Sequence, residues 1–294
     1  MSTPTVVITG ASSYLGRVAV EALLAKTAHR LVAVVSPRAE LPAESGGRVR
    51  WLRADLSSAP DAELAAELAQ AATVLHFAWT RTGPADAVSR ANRAMIGHLI
   101  GAMPDAGKFW FISSVSASPR PMSTYGATKH EAAELVRAGG GSVLVCGLVV
   151  EPDPPRGPYR MLRKNVARFP LAFRAASGEP LVFPLRLDDL AATLTHVATT
   201  APAPGSYRMF SPPLGFNSFL ALLEKLAPRR RLPAPFPAGL IMRAAALAKK
   251  SRLVPAKLCD QVLTFLYKDA PHLLSHAELP GLTFRRCEDE SFFR

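Results

Sequence analysis

The sequence predicts an α/β fold, a doubly wound parallel sheet with a small C-terminal substrate-binding lobe. Short apolar runs rich in β-branched residues alternate with helix-like segments through the first 150 residues. The first run ends in a glycine-bearing stretch, TGASSYLG, at residues 9–16. After Glu151 the alternation fades into a proline- and arginine-rich segment, EPDPPRGPYRMLRKN. Strands that alternate with helices pair in parallel, because each crossover helix returns the chain to the same end of the sheet and covers a face of it.

TVVIT (Thr5 to Thr9) is the first strand, stopped at Gly10, and a helical pattern follows from Leu15 to about Lys26. LVAVV (31–35), VRWL (49–52), TVLHF (73–77), KFWFI (108–112) and SVLVCGLV (142–149) predict further strands. Most are separated by helix-like segments such as DAELAAELAQA and ADAVSRANRAMIGHLIGAM. These elements place a nucleotide-binding domain at 1–150 and the lobe at 151–294, interleaved with the main sheet around 180–200. Such sheets bind ligands at the carboxyl ends of their strands, beside the switch point in strand order. TGASSYLG falls there, and its small residues suit backbone N–H groups that approach a pyrophosphate at a helix N-terminus. An ordinary tight strand-to-helix turn is the competing reading of Gly10 and Gly16.

The 294 residues are 49% hydrophobic, enough for a substantial core. No apolar run reaches the ~18 residues of a membrane-spanning helix, and the first residues lack a signal-peptide pattern, so a soluble cytoplasmic protein is expected. Cys146, Cys259 and Cys287 are odd in number and scattered, which predicts reduced, buried thiols. His76, His98, His130, His196, His272 and His276 show no ligand spacing, and no metal is assigned. A net charge of +12, with pI near 10.1, points to an anionic partner. Its cations are spread along the whole chain without a nucleic-acid motif, which argues against nucleic acid.

YGATK (125–129) places a tyrosine and a lysine four positions apart, on one helical face. With TGASSYLG, ADL (54–56), LHFAW (75–79), FISSVSAS (111–118), PLRLDDLA (184–191) and LPGLTFRR, it makes the chain resemble the extended short-chain dehydrogenase/reductase family, also described as the NAD-dependent epimerase/dehydratase family, over essentially its whole length. The resemblance implies a Rossmann-type sheet. Three departures stand out. Ser13 replaces the middle glycine of the nucleotide loop, which requires that its φ stay negative or the loop be strained. Cys146-Gly147 replaces the Arg-Pro that commonly follows strand six, which weakens any transfer of nucleotide-sugar specificity. The segment before Tyr125, SPRPMST, is short and proline-bearing.

What the resemblance implies is an NAD(P)-dependent oxidoreductase or epimerase with Ser114, Tyr125 and Lys129 as catalytic residues. Lys129 would favour the phenolate of Tyr125, making it an acid/base near neutral pH, and would bridge ribose hydroxyls. Ser114 is chosen over Ser113 and Ser116 by motif register. The dinucleotide would be held by Thr9, Gly10, Ser12, Ser13, Tyr14, Leu15 and Gly16 at the first loop and by Ser36 and Arg38 after strand two. Asp55 and Leu56, then Phe77, Ala78 and Trp79, and finally Asn92 with Tyr125 and Lys129 complete the expected contacts. No carboxylate occurs between Val32 and Ala39, where an NAD site usually carries one. Ser36 and Arg38, with Arg17 nearby, suit a 2′-phosphate instead, so NADP(H) is favoured over NAD(H).

The expected substrate is a small carbonyl or secondary alcohol of keto-sugar, steroid-like or polyketide-like type. A nucleotide-sugar epimerase that retains its NAD(P), and a non-catalytic NAD(P)-binding sensor or assembly protein, are the alternatives. Asp188 and Asp189 read as helix caps more readily than as a catalytic pair. Arg156, Arg160, Arg163, Lys164 and Arg168 either line an anionic substrate pocket or form a solvated basic face. FPAGLIMRAAALAKKSRLVP, with RRR at 229–231, either packs on the core with basic ends or makes weak contact with an acidic membrane surface. A homodimer through first-half helices is a further expectation from the family.

Overall fold

The computed structural model describes residues 3–41, 47–81, 83–155, 157–227, 229–251 and 254–293. The first half runs β1 (Thr5–Thr9), α1 (Tyr14–Lys26), β2 (Arg30–Val35), β3 (Val49–Arg53), α2 (Ala62–Gln70), β4 (Thr73–His76), α3 (Ala85–Gly101), β5 (Phe109–Ile112), α4 (Thr124–Ala138), β6 (Ser142–Cys146) and β7 (Leu148–Val150). The second half continues with α5 (Pro158–Arg168), β8 (Leu171–Ser177), β9 (Leu181–Val182), β10 (Pro184–Arg186), α6 (Leu187–Thr200), β11 (Ser206–Met209) and β12 (Leu214–Gly215). It ends with α7 (Phe216–Leu226), β13 (Leu232–Pro237), α8 (Ala238–Ser251), α9 (Ala256–Leu266), α10 (Ala270–Leu274) and β14 (Ala277–Glu278).

The main sheet has eight strands in the order β14-β11-β6-β5-β4-β1-β2-β3, parallel at every pairing. Strand order reverses between β1 and β4, which creates the crevice where such sheets bind ligands. Side chains alternate between two cores, as the period of a strand requires. Val6 and Ile8 of β1 face a core with Leu23 of α1 and Leu190 and Leu194 of α6. Val7 faces the other, with Leu64 of α2, Ile96 of α3 and Val136 of α4. A helix layer thus covers each face; β1, β2, β4 and β6 are rich in Val, Ile and Leu, and β5 carries Phe and Trp.

Local chemistry sets the helix starts. Ser13 caps α1 by accepting from Gly16 N at 3.1 Å, Asp61 caps α2 from Leu64 N at 2.8 Å, and Ser123 caps α4 from Gly126 N at 3.0 Å.

Three expectations are revised. SVLVCGLV is two strands, broken where Gly147 packs too closely for a side chain: an added Cβ would lie 2.5 Å from Phe183 O. β7 then leaves the main sheet to pair with β10. Return of the second half to the main sheet extends beyond 180–200, because β11 and β14 are sheet strands and Met209 and Leu279 join its core. Asp188 and Asp189 do not cap α6; Arg186 occupies that position, and the two carboxylates sit in the first turn, where they favour the helix dipole. Asp188 also pairs with Arg186 at 3.1 Å. The lobe has its own aromatic core, in which Tyr159, Phe216, Phe219, Phe292 and Phe293 pack around α7.

Candidate active site

The nucleotide loop crosses from β1 to α1 at the switch point. Gly10 has φ +70°, and a Cβ there would meet Ala78 N at 2.5 Å. At Gly16 a Cβ would lie 2.3 Å from Gly10 O. Both glycines therefore allow close backbone approach, the property that a dinucleotide loop needs. The requirement at Ser13 is met without strain: its φ is −70° and its hydroxyl caps the helix. Ser12, Tyr14 and Leu15 are half-buried along this loop, and Tyr14 Oη donates to the Glu151 carboxylate across the crevice.

Thr9 has a different role from the one expected. It is buried and its hydroxyl pairs with His76 Nδ1 at 2.6 Å, so its side chain forms the floor under the loop. Burial, followed by the charge of Lys129, pushes His76 down to about 3. The neutral ring is favoured in the folded state. A folded pKa below the unfolded value of about 6.5 adds stability that is present above pH 6.5 and lost as pH falls toward 3. The His76 contribution to the unfolding free energy measured in urea is expected to fall away below pH 6.5 by on the order of a few kcal/mol in total. His276, held down to about 4 chiefly by burial, acts in the same direction. His76→Asn should flatten part of this slope, and an unchanged slope would exclude His76 as a contributor.

At the far ends of the strands, Ser36 and Arg38 are exposed in a turn closed by Ala39 N donating to Ser36 O at 3.0 Å. Asp55 Oδ1 accepts from Ser57 N at 3.0 Å and Ser57 Oγ at 2.7 Å, bonds that lower the carboxyl pKa. Leu56 packs against the α2-side core, as do Ala78 and Trp79. Phe77 is buried on the α1 side.

Asn92 is buried rather than exposed. Its Oδ1 accepts from Thr80 N at 2.9 Å and its Nδ2 donates to Thr80 O at 3.0 Å. It fixes the loop after β4, which carries Trp79 and Arg81, and Nδ2 also donates to Val88 O of its own helix at 2.8 Å.

Tyr125 sits in the first turn of α4, half-buried, with Trp79 edge-on at 6.5 Å between ring centroids. Ser114 lies beside its hydroxyl, and Ser114 Oγ accepts from Ser116 N at 3.2 Å. The neighbouring serines are used elsewhere: Ser116 Oγ donates to Thr264 O at 3.3 Å, and Ser113 is buried in a small cavity near His130 and His272. Burial raises the phenol pKa, and Arg81, by charge and hydrogen bond, and Ser114 oppose that rise. The Arg81 guanidinium carbon lies 5.6 Å from the Tyr125 ring centroid.

The expectation that Lys129 is the cation lowering Tyr125 is corrected here. Lys129 is buried, its Nζ donates to Ile112 O at 2.9 Å, and it lies 3.8 Å from the Trp79 ring centroid and 4.4 Å from that of Phe111. Burial, then the charge of Arg81, holds its pKa well below the usual lysine range. The opposing cation at the phenol is Arg81.

A second group of residues braces this site from the C-terminal segment. The Asp260 carboxylate of α9 accepts from Thr124 N and Tyr125 N, and Lys249 of α8 donates to Asp260 at 2.8 Å and to Thr124 Oγ1 at 2.9 Å. Asp269 accepts from Ser118 Oγ at 2.9 Å and from Arg120 at 3.1 Å. Sequence reasoning missed Asp260 and Lys249 because more than a hundred positions separate them from the helix they brace. Arg81 carried a local signal, following Trp79 by two positions at the end of β4.

Other side chains lie elsewhere. Arg160, Lys164 and Arg168 line an open depression of about 640 Å³ along α5 whose walls do not include Ser114, Tyr125 or Lys129. Arg156 lies outside the described residues. The histidines are less dispersed than their spacing suggested: the His272 ring is 5.9 Å from that of His130 and 4.8 Å from that of His276. Among the described residues no group of three or more His, Cys, Asp or Glu is arranged to hold a metal ion. The three cysteines are free and buried. No helix among the described residues is long and apolar enough to cross a membrane.

The parallel sheet and its nucleotide loop define a Rossmann-type enzyme of the nicotinamide-dinucleotide class. The sequence matches the NAD dependent epimerase/dehydratase family over residues 6–185, and the chain belongs to that family. The comparison with curated proteins returns no match. Among solved structures, the terminal R domain from the myxalamid PKS-NRPS biosynthetic pathway is similar at 15% identity and TM-score 0.69, covering 99% of this chain and 89% of that one. UDP-glucuronic acid 4-epimerase from Bacillus cereus in complex with NAD is similar at 18% identity and TM-score 0.62, covering 79% of this chain and 86% of that one. UDP-glucose 4-epimerase from Thermotoga maritima, with UDP-glucose, is 15% identical at TM-score 0.61, covering 79% and 85%. At these identities the likeness is one of fold.

Proposed function

We propose that the protein is an NADP(H)-dependent oxidoreductase that reduces the carbonyl of a small substrate to a secondary alcohol, with Tyr125 as the acid. The observation that carries this reading is the placing of Tyr125 in the first turn of α4, with Ser114 beside its hydroxyl, Arg81 5.6 Å from its ring centroid and Trp79 edge-on to it. A phenol so placed can give a proton to a carbonyl oxygen held by the serine. Ser114 would hold the carbonyl oxygen and Tyr125 Oη would give it a proton. The nicotinamide, when bound, supplies the hydride to the carbonyl carbon. Arg81 would stabilise the phenolate left behind, and Lys129, under Trp79, would bridge ribose hydroxyls from the floor of the site. Gly10, Gly16 and the Ser13-capped start of α1 suit the pyrophosphate, and the exposed Ser36 and Arg38 suit a 2′-phosphate.

An epimerase that retains its dinucleotide is the second reading, favoured by the likeness to two UDP-sugar epimerases over 79% of the chain. The likeness to the R domain extends over 99% of the chain, a match of fold that includes α8 and α9, the helices that brace Tyr125.

Energy transfer from tryptophan to reduced nicotinamide separates the outcomes. NADPH is expected to bind at least about tenfold more tightly than NADH, a preference of ~1.4 kcal/mol, and Arg38→Ala should remove it. Equal binding, or preference for NADH, would refute the 2′-phosphate assignment. Dinucleotide that co-purifies without net turnover would favour the epimerase.

A further inference from the structure

In α8 the usual helical pattern is inverted. Leu240, Ile241, Ala244 and Leu247 recur at the spacing of one helical face, and all four are exposed. Leu240 is 60% and Leu247 68% exposed. Helix α8 packs on α9 and β8 with its other side, so this stripe has no partner among the described residues. The adjoining parallel ribbon continues the same character. Leu232 of β13, 70% exposed, is opposite Leu171 of β8, and Phe173 is exposed one turn of the pleat further along.

The charges around this apolar surface are mostly of one sign. Helix α5 carries Arg160, Arg163, Lys164 and Arg168, the approach to β13 carries Arg229, Arg230 and Arg231, and α8 carries Arg243; no carboxylate occurs in α5, α8, β8 or residues 229–237. Two carboxylates on neighbouring helices are engaged by cations, Glu224 by Arg174 and Asp260 by Lys249. These segments are adjacent in space, since Arg229 donates to Arg168 O at 3.0 Å and Arg231 to Val166 O at 2.9 Å. An apolar strip with this excess of cations at its rim complements a surface that offers apolar depth behind negative charge, which is the headgroup region of an anionic bilayer. A second copy of this chain, with its net charge of +12, would set like charges against this rim.

We propose that the outer face of α8 and the β8–β13 ribbon form a docking surface for anionic membrane, with Leu240 and Leu247 inserted among the headgroups. Because Lys249 of the same helix reaches Asp260 and Thr124, docking would hold at the lipid surface the helix that braces the start of α4. This proposal stands on the surface alone and does not depend on the reaction assigned above.

Vesicle co-sedimentation of the full chain tests it. Phosphatidylcholine vesicles with about one third phosphatidylglycerol should pull down most of the protein, and pure phosphatidylcholine vesicles little of it. Leu240→Ser combined with Leu247→Ser should reduce binding at least about tenfold, as expected when two apolar anchors are lost. Arg230→Glu combined with Arg243→Glu should abolish it. All four side chains are exposed, and thermal melts of the variants should overlay the parent. Absence of binding to anionic vesicles, or binding that survives the leucine changes, would overturn the proposal. So would sedimentation velocity showing a dimer that the leucine changes convert to monomer, which would assign the face to a second copy.

Discussion

Tyr125→Phe is expected to lower kcat by about 10³-fold while leaving dinucleotide affinity within about twofold. The substitution removes one oxygen from a ring that stays packed edge-on to Trp79, so the fold and the nucleotide loop should remain intact. Steady-state kinetics and the fluorescence titration together check this. Full activity in the variant would remove Tyr125 from the chemistry and require that another group supply the proton. The companion change Arg81→Ala is informative for a different reason. Since Arg81 opposes the burial that raises the phenol pKa, its loss should move the basic limb of the kcat/KM profile further upward. Lys129→Ala should move that limb less, because its ammonium faces Ile112 O and the Trp79 ring.

Gly16→Ala is expected to have the largest effect on stability, and it has an internal control. A Cβ at Gly16 would lie 2.3 Å from Gly10 O and 2.8 Å from Ala11 Cα, all backbone that cannot rotate away. Relief requires the loop to separate from α1, at a cost of about 1–3 kcal/mol or more, with loss of dinucleotide binding. Gly97, in α3, has open space where its Cβ would be. There the same substitution should stabilise by up to ~1 kcal/mol, because alanine is the better helix former. Urea unfolding of the two variants should therefore shift in opposite directions.

The first half of the fold was legible because its information is local. β-Branched runs of strand length and the Gly10 stop each act within a few residues. SVLVCGLV was read as one strand because nothing within it reveals that Phe183 O would crowd a side chain at Gly147. Roles of polar residues divided in the same way. Ser114 was readable from its motif, whereas Thr9 and Asn92 have family positions but spend their side chains on His76 and on the Thr80 backbone. The cation at Tyr125 was misassigned because helical spacing fixes which residues share a face, not where a long side chain ends. Lys129 turns inward to a carbonyl, and a loop arginine takes its place beside the phenol.

The bracing of α4 by Asp260 bears on how the enzyme is born. During synthesis the strands, nucleotide loop, Ser114 and Tyr125 all leave the ribosome long before the carboxylate that accepts from Thr124 N and Tyr125 N. The edge strand β14 and the Asp269 contact to Ser118 arrive later still. A nascent chain could thus acquire a dinucleotide site early, yet its tyrosine would be set in place only when the final helices fold back.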